Sequence, residues 1–156
     1  MSSKATLRLY GQLSSHPALE WAWVNAQLKA AGTYWVVART AAGHPHPRPV
    51  WGVWNQQRLF LSIGTPAILR ALAADPVVTV HLDSGTEVVI VEGRASGSVD
   101  ASEVIASYDR KYEWTYDVAA YGPLTLVIPT AVLAWRAGGW AGRESFQQTG
   151  RWQFDL

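Results

Sequence analysis

Two histidines that flank a proline are the first residues in this sequence with a spacing suited to chemistry. His44 and His46 lie two residues apart, which would place both imidazoles on one face of a strand as possible metal ligands. No nearby carboxylate or third histidine completes a ligand set, so two exposed histidines in a turn are the favoured interpretation. His16 and His81 are interpreted as structural. We therefore predict no metal site.

The segment Gly138–Gly142 is rich in glycine and resembles a phosphate-binding loop in composition alone. It follows a late predicted strand, and no helical pattern opens after it, so the logic of dinucleotide-binding and phosphate-binding loops does not apply. A flexible loop is the expected structure. Trp140 within it is either a lid over a planar ligand or a surface tryptophan.

Nucleophilic catalysis has little support, because the chain has no cysteine and no Gly-x-Ser-x-Gly motif. Without cysteine, disulfides, zinc ribbons and iron–sulfur clusters are also excluded. The mixed charges Asp109, Arg110, Lys111 and Glu113 are predicted to form a solvated helix face without chemistry. No catalytic residue is identified.

Composition points to one globular domain. The chain has 156 residues, of which 49% are hydrophobic and 16% charged, and nine tryptophans exceed what a core of this size needs. Part of this surplus is expected to serve a partner or a flat ligand. A net charge of +1 without a dense basic cluster argues against nucleic-acid binding. Neither a signal peptide nor a membrane span is recognised, so a cytoplasmic location is expected by default.

The elements that would position a site form an antiparallel meander without βαβ rhythm. We predict a mainly β (β+α) barrel with about three flanking helices, in one domain over 1–156, with an N-terminal extension at 1–16 and a loop and docking tail at 138–156. The predicted strands are Tyr34–Thr40, Val50–Trp54, Arg58–Ile63, Val77–Leu82, Glu87–Ala95, Leu124–Ile128 and Ala131–Arg136. The predicted helices are Pro17–Ala31, Ala67–Ala74 with Thr65 as N-cap, and one that starts near Asp100 and Glu103 and carries Tyr108 and Tyr112.

Several motifs follow one another in an order typical of a known family. They are Gly43–Trp54, Leu59–Ser62 before the helix at Thr65, Asp75-Pro76, Val91–Ala95, Lys111–Trp114, Leu133–Trp135 and Arg151–Phe154. Together they resemble the pyridoxamine 5′-phosphate oxidase-like superfamily of flavin- and deazaflavin-binding split β-barrels. The Trp-rich N-terminal helix and Tyr34-Trp35 are similar to its actinobacterial branch.

The resemblance implies a cofactor site. Arg48 and Ser62 would bind the cofactor phosphate at the N-terminus of the helix that Thr65 precedes, where free N–H groups favour an anion. The backbone of Pro49, Val50, Trp51 and Gly52 would meet the flavin ring. Arg151 and Trp152 would border the substrate. The family's Ser-Arg-Lys at the helix start reads Pro66-Ala67-Ile68 here, so its phosphate-binding lysine is missing, and Arg70 is the candidate substitute.

By this resemblance the protein is a flavin- or deazaflavin-dependent oxidoreductase that transfers a hydride to or from a small molecule. FMN is the expected cofactor, with deazaflavin coenzyme F-420 as the alternative. The family pairs as homodimers with the cofactor between subunits, so Trp51, Trp54 and Trp152 are candidates for an interface, with barrel core as the competing explanation. A non-catalytic carrier of a flavin, haem or other planar ligand and a structural dimer with a vestigial pocket remain open.

Overall fold

The computed structural model describes residues 6–9, 19–97, 102–137 and 149–155. Within them the strands are β1 (Thr6–Leu9), β2 (Tyr34–Arg39), β3 (Pro45–Asn55), β4 (Arg58–Ser62), β5 (Val77–His81), β6 (Glu87–Ser96), β7 (Thr125–Arg136) and β8 (Gly150–Gln153). The helices are α1 (Trp21–Ala30), α2 (Pro66–Ala74), α3 (Ser102–Tyr112) and α4 (Val118–Tyr121).

Six antiparallel strands close into a barrel. Their order is β7-β4-β3-β2-β5-β6, and the pairing of β6 with β7 completes the ring. β8 pairs with the end of β7, and β1 pairs with β8, so these two strands extend the sheet beyond the ring. Because the ring is closed, each of the six strands has a paired neighbour on both sides, and the barrel has no free sheet edge there. The predicted antiparallel split barrel is confirmed.

The barrel interior holds the main core, and α1 covers one end of it. Trp21 of α1 contacts the rings of Trp54, Trp152 and Phe154 at centroid distances of 6.4, 5.6 and 5.5 Å. The indole N–H of Trp54 donates to Asn25 Oδ1 at 2.8 Å, which satisfies its buried donor. The C-terminal tail therefore docks through its apolar side chains, as the sequence requires of them.

A second core lies outside the barrel, where α3 packs across its wall. Val104 and Tyr108 of α3 are buried against Val53, Phe60 and strand β7. This contact places the C-terminal end of α3 beside the middle of β3. That position decides the geometry of the candidate site.

Two strand predictions were too short. β3 begins at Pro45, not at Val50, so His46 belongs to a strand and only His44 lies in the turn. β7 is continuous where two strands had been predicted around Pro129. The pairing shifts register between Glu92 and Gly93, opposite Pro129, and the Thr130 hydroxyl donates to the Glu92 carbonyl at 3.2 Å. This bulge lets the sheet accept a proline inside a strand.

Several smaller elements also differ from the expectations. Strand β1 lies within the predicted N-terminal extension, and the short helix α4 was not predicted. Helix α1 begins at Trp21, and Pro17 lies outside the described residues. Thr65 precedes α2 as predicted, but its side chain makes no capping hydrogen bond. No helix in the described ranges is long and apolar enough to span a membrane.

The close approach of β6 and β7 at the bulge yields a stability prediction. A Cβ added at Gly93 would lie 2.6 Å from the Ile128 carbonyl oxygen and 3.0 Å from Val127 Cγ1. Backbone atoms cannot move aside cheaply, so we expect Gly93→Ala to lower the free energy of unfolding by about 1–3 kcal/mol and the melting temperature by about 3–9 °C.

Gly97→Ala is the matched control, because a Cβ there meets no atom within 4 Å. We expect it to stay within about 0.5 kcal/mol of wild type in chemical denaturation. Equal stabilities of the two variants would contradict the tight packing at the bulge.

Candidate functional site

The barrel opens into a fork where β3 and β4 stop pairing. Their last paired residues are Trp51 and Ser62, after which the chain turns through Gly64 into α2. Toward its N-terminus, from Val50 back to Pro45, β3 pairs with β2 and no longer with β4. Two strands that part in this way leave backbone and side chains facing a cleft.

This aromatic cleft has a volume of about 380 Å³, within the size range of small-molecule sites. It is lined by Pro49, Val50, Trp51, Ser62, Gly64, Thr65, Tyr108, Trp114, Tyr116 and Tyr121. Five of these ten residues are aromatic, and none carries a formal charge.

The aromatic side chains contact one another around the opening. Trp51 is 45% exposed, and one face of it stacks on Tyr112 at 4.6 Å and 3°. Trp114 meets the Trp51 ring edge-to-face at 6.2 Å and contacts Tyr121 at 6.4 Å. The exposed fraction of Trp51 shows that its indole is still accessible. The arrangement presents flat apolar surface of the kind that binds planar rings.

The polar groups of the cleft are neutral hydroxyls. Burial raises the pKa of Tyr108 to about 12, so its phenol stays protonated at physiological pH. Tyr116 donates from its hydroxyl to the Gly122 carbonyl at 2.8 Å, and its backbone N–H donates to Asp109 Oδ1 at 2.8 Å. Asp109 thereby fixes the loop after α3 that carries Trp114. The cleft can hydrogen-bond a ligand without supplying charge.

Gly52 is held from behind by the end of α3. In the register that pairs Tyr34 with Val50, Gly32 would lie opposite Gly52, but β2 begins only at Tyr34. The Tyr112 hydroxyl fills this gap: it accepts from the Gly52 N–H at 2.9 Å and lies 3.0 Å from the Gly32 carbonyl oxygen. The Tyr112 hydroxyl thus takes the place of a backbone hydrogen bond that the sheet lacks at this position.

Lys111 completes the same junction. Its ammonium donates to the Gly52 carbonyl at 2.9 Å and to the Tyr34 hydroxyl at 3.0 Å, and it lies 4.7 Å from the centroid of the Tyr34 ring. Partial burial without an acidic partner in the described structure lowers the pKa of Lys111 to about 8. The prediction that this charge run is a solvated face was wrong for Lys111, because the side chain turns inward to a main-chain carbonyl.

Five of the residues predicted for the cofactor meet in the aromatic cleft. Pro49, Val50 and Trp51 line it from β3, and Ser62 and Thr65 line it from the end of β4 and the start of α2, with Ser62 paired directly to Trp51. Gly52 lies directly beside them in β3, buried and without a side chain to reach the opening. Their functional roles stay predictions.

The predicted arginines lie elsewhere. Arg48 is exposed, and its guanidinium donates to the neighbouring Pro47 carbonyl at 2.7 Å. Arg70 is exposed on α2, and neither arginine lines the aromatic cleft. Ile68, at the position of the family's lysine, is fully buried in the barrel core. A side chain at position 68 therefore points away from the cleft.

The pair predicted for the substrate side belongs to the docked tail. Arg151 makes an ion pair with Glu92 at 2.6 Å, and Trp152 is 2% exposed among core residues. Trp54 is likewise buried, so of the three tryptophans named for an interface only Trp51 is exposed. The loop Gly138–Gly142, with Trp140, lies outside the described residues.

The sequence-based reasoning missed most of the cleft's aromatic wall. Tyr108, Trp114, Tyr116 and Tyr121 come from α3 and the segment after it, as does Lys111. The available signal was the density of aromatic residues between 108 and 121, which helical periodicity alone did not connect to the fork at β3. Among the described residues, no group of three or more His, Cys, Asp or Glu side chains is arranged to hold a metal ion.

Comparisons with known proteins identify the fold. No protein-family model matches the sequence, and no curated protein matches it. Among solved structures, the chain is similar to a conserved hypothetical protein of Mycobacterium tuberculosis, with a TM-score of 0.65 and 17% identity over 81% of this chain and 90% of that one. It is also similar to an F-420 reductase, with a TM-score of 0.57 and 18% identity over 69% and 94% of the two chains.

A FAD-binding protein from Mesorhizobium loti shares the fold across 97% of this chain and 100% of its own, with a TM-score of 0.55 and 13% identity. At these identities the likeness establishes architecture. The resemblance to the flavin- and deazaflavin-binding split barrels is confirmed at the level of fold.

The environment of Lys111 predicts a pH dependence of stability. Its pKa is about 8 in the folded protein, lowered from the ordinary lysine value of 10.5 that applies to the unfolded chain, so the unfolded chain binds more protons between these values. Stability from this group therefore rises as the pH increases from 8 to 10. We expect wild type to gain free energy of unfolding relative to Lys111→Met over this range, measured by urea denaturation at matched pH.

The buried tyrosines also make the free energy of unfolding depend on pH, but they do so in both proteins. The difference in free energy of unfolding between wild type and Lys111→Met therefore reports the lysine. A difference that stays constant, or that changes in the opposite direction, would show that the ammonium is solvated in the folded state.

Proposed function

We propose that this protein binds the tricyclic ring of a flavin or deazaflavin in the aromatic cleft and acts as an oxidoreductase on a small molecule. The observation that carries the proposal is the fork of β3 and β4, where Pro49, Val50 and Trp51 line one cleft together with the aromatic residues of α3 and the segment after it. The solved structures with this fold include an F-420 reductase and a FAD-binding protein, which supports a cofactor of this chemical class.

The residues of the cleft fit the ring better than they fit a phosphate. Flat aromatic side chains and neutral hydroxyls suit an isoalloxazine, whereas the described lining holds no cation. In this proposal Ser62, Thr65 and the Ala67 N–H at the start of α2 receive the phosphate, since Pro66 has no N–H and the Ile68 N–H already donates to the Thr65 carbonyl oxygen at 3.0 Å. Arg48 would join them by leaving its bond to Pro47. FMN is the proposed cofactor, and coenzyme F-420 is the alternative.

When bound, such a cofactor supplies hydride transfer, and the protein supplies binding and orientation. In this proposal Trp51 stacks on the ring, supported from its other face by Tyr112. Lys111 and Tyr112 hold the Gly52 peptide and so set the position of the Trp51 backbone. The bulky aromatic wall excludes water from the ring. No acid or base in the protein is required for the transfer itself.

The Trp51 stack gives the direct test. We expect FMN or coenzyme F-420 to quench protein fluorescence on titration, and Trp51→Ala to weaken the binding about tenfold or more, because stacking on an aromatic face is lost. Val77→Ala is the control, since Val77 is 53% exposed on β5 and lies outside this cleft. Equal affinity of Trp51→Ala and wild type would reject the aromatic cleft as the ring site.

A non-catalytic carrier of a flavin, haem or another planar ligand is the second candidate, favoured by the absence of charged side chains among the described lining residues. Experiments on the complex with the bound cofactor distinguish the oxidoreductase from the carrier. Reduction of the bound cofactor by a nicotinamide nucleotide or a flavin reductase, followed by reoxidation with an acceptor, supports the oxidoreductase. A bound ligand whose visible absorbance never changes under these conditions supports the carrier.

We further propose that two copies of the chain associate around the cleft. Trp51, Trp114 and Tyr121 are each 45–51% exposed and are linked by ring contacts, an apolar cluster typical of a covered surface. Sedimentation equilibrium is expected to report a dimer, and Trp114→Ala to shift it toward monomer. A wild-type monomer at high protein concentration would refute this association.

A further inference from the structure

A second cleft lies on the other side of the α3 C-terminus and differs from the first in charge. This basic cleft has a volume of about 380 Å³ and is lined by Lys29, Val53, Trp54, Asn55, Ser107, Arg110 and Lys111. Three of its seven lining residues are cations, whereas the described aromatic cleft has none. Since the whole chain has a net charge of only +1, this concentration is local.

The cations of the basic cleft come together without acidic partners. Within the part of the chain that the structure describes, the ion pairs are Arg39–Asp75, Arg136–Glu87 and Arg151–Glu92, and none involves Lys29, Arg110 or Lys111. Of the acids in the neighbouring elements, Glu113 is exposed just beyond α3 and takes part in none of these ion pairs, and three others are directed elsewhere. Asp109 accepts from the Tyr116 N–H, Glu103 lines a different cavity at the start of α3, and Glu20 lies at the opposite end of α1.

Helix dipoles explain part of this pattern. Lys29 lies in the last turn of α1, and Arg110 and Lys111 lie in the last turn of α3, where cations are favoured. The dipole of a helix accounts for cations at that helix's own C-terminus. It does not explain why the ends of two helices present their cations to one concave site. Nor does it explain the inward turn of Lys111, whose ammonium is held by the neutral groups Gly52 C=O and Tyr34 O–H.

The chemistry of the cleft specifies its ligand. A guanidinium and two ammonium groups suit a dianionic phosphate better than a single carboxylate. The Ser107 hydroxyl, which donates to the Glu103 carbonyl oxygen at 3.1 Å, would add a contact by leaving that bond. The side chain of Val53, buried under α3, forms an apolar floor next to these donors, whereas that of Trp54 points into the barrel core. We propose that the basic cleft binds the phosphate group of a small phosphorylated organic molecule, at a site separate from the aromatic cleft.

Phosphate bound in the basic cleft would change the protonation of Lys111. Its ammonium contacts Tyr34 from β2 and the ring of Tyr112 from its own helix, and Lys29 from α1 and Arg110 line the same cleft, so none of these groups is an acid. An arriving anion favours the protonated amine, so the site takes up a proton on binding wherever the free lysine is partly deprotonated.

The first test is a calorimetric titration with two probes, inorganic phosphate and phenyl phosphate. We expect both to bind, phenyl phosphate more tightly because its ring covers the apolar floor. Arg110→Ala is expected to weaken both about tenfold or more, since a charge-assisted contact is lost. Arg110 is exposed, so this variant should fold normally.

Arg39→Ala is the matched control, because it removes the same charge about 16 Å along β2 from Tyr34, five residues at the rise of a strand. We expect it to bind like wild type. An equal loss in Arg39→Ala and Arg110→Ala would reduce the effect to general electrostatics and overturn the proposal. No binding of either probe to wild type would overturn it as well.

Arg48→Ala separates the two clefts, since Arg48 is the arginine proposed for the cofactor phosphate. Phosphate binding that is kept in Arg48→Ala and lost in Arg110→Ala assigns the anion to the basic cleft. The reverse pattern would assign it to the aromatic cleft, leaving the proposed function standing and this inference refuted.

A proton count tests the role of Lys111 itself. Titration at pH 8 in two buffers of different ionisation enthalpy is expected to show uptake of up to about half a proton per phosphate bound. Lys111→Met should abolish this uptake. Uptake that persists in Lys111→Met would show that another group titrates and would remove Lys111 from the site.

Discussion

The main chain of Gly52 is the point on which both clefts depend. On one side its missing side chain lets β3 approach β4, because a Cβ there would lie 2.6 Å from the Phe60 carbonyl oxygen. On the other side its N–H and C=O would be left without partners, since β2 has not yet begun. Tyr112 and Lys111 supply the missing donors and acceptor from α3. The barrel wall is thus completed by a helix at the place where the sheet is incomplete.

The balance of energies explains why a lysine is acceptable at this junction. A buried carbonyl without a partner costs about 1–3 kcal/mol. Lys111 and the Tyr112 hydroxyl, each 2.9 Å from the Gly52 carbonyl oxygen, remove that cost. Desolvation of the Lys111 ammonium opposes the gain, which is visible in the lowered pKa of about 8. The Tyr34 hydroxyl and the faces of the Tyr34 and Tyr112 rings offset part of the desolvation. The result is a cation that is satisfied by neutral groups and has no ion pair with any acid in the described parts of the chain.

The sequence predicted the barrel because its signals are local. Runs of β-branched and aromatic residues mark β2, β4, β5 and β6, and Pro66 and Pro76 delimit α2. The cleft residues Pro49–Trp51 and Ser62 were found only through the order of motifs. What remained hidden depends on long-range contacts. β1 is stabilised by pairing with β8, more than 140 residues away, and Pro129 is tolerated only because β7 bulges at Thr130, next to it, in its pairing with β6.

Lys111 shows the same limit on a finer scale. Its neighbours Asp109, Arg110 and Glu113 are polar, and a charged run at a helix end is usually solvated. Only the three-dimensional gap between Gly32 and Gly52 makes an inward-pointing lysine favourable, and those glycines are 20 residues apart in sequence. A pattern confined to one helix cannot report a gap in a sheet.

The junction also connects the two clefts through shared contacts. Trp51 faces the aromatic cleft and Lys111 faces the basic cleft, and both are bonded or stacked to the same short stretch of chain at Gly52 and Tyr112. An anion that draws the ammonium of Lys111 away from the Gly52 carbonyl would weaken the support behind Trp51, whereas one that binds it in place would strengthen that support. Because coupling between two binding sites is reciprocal, a ring stacked on Trp51 would change phosphate affinity by the same factor. The sign of that coupling depends on whether the 2.9 Å bond from Lys111 to Gly52 survives when the basic cleft is filled.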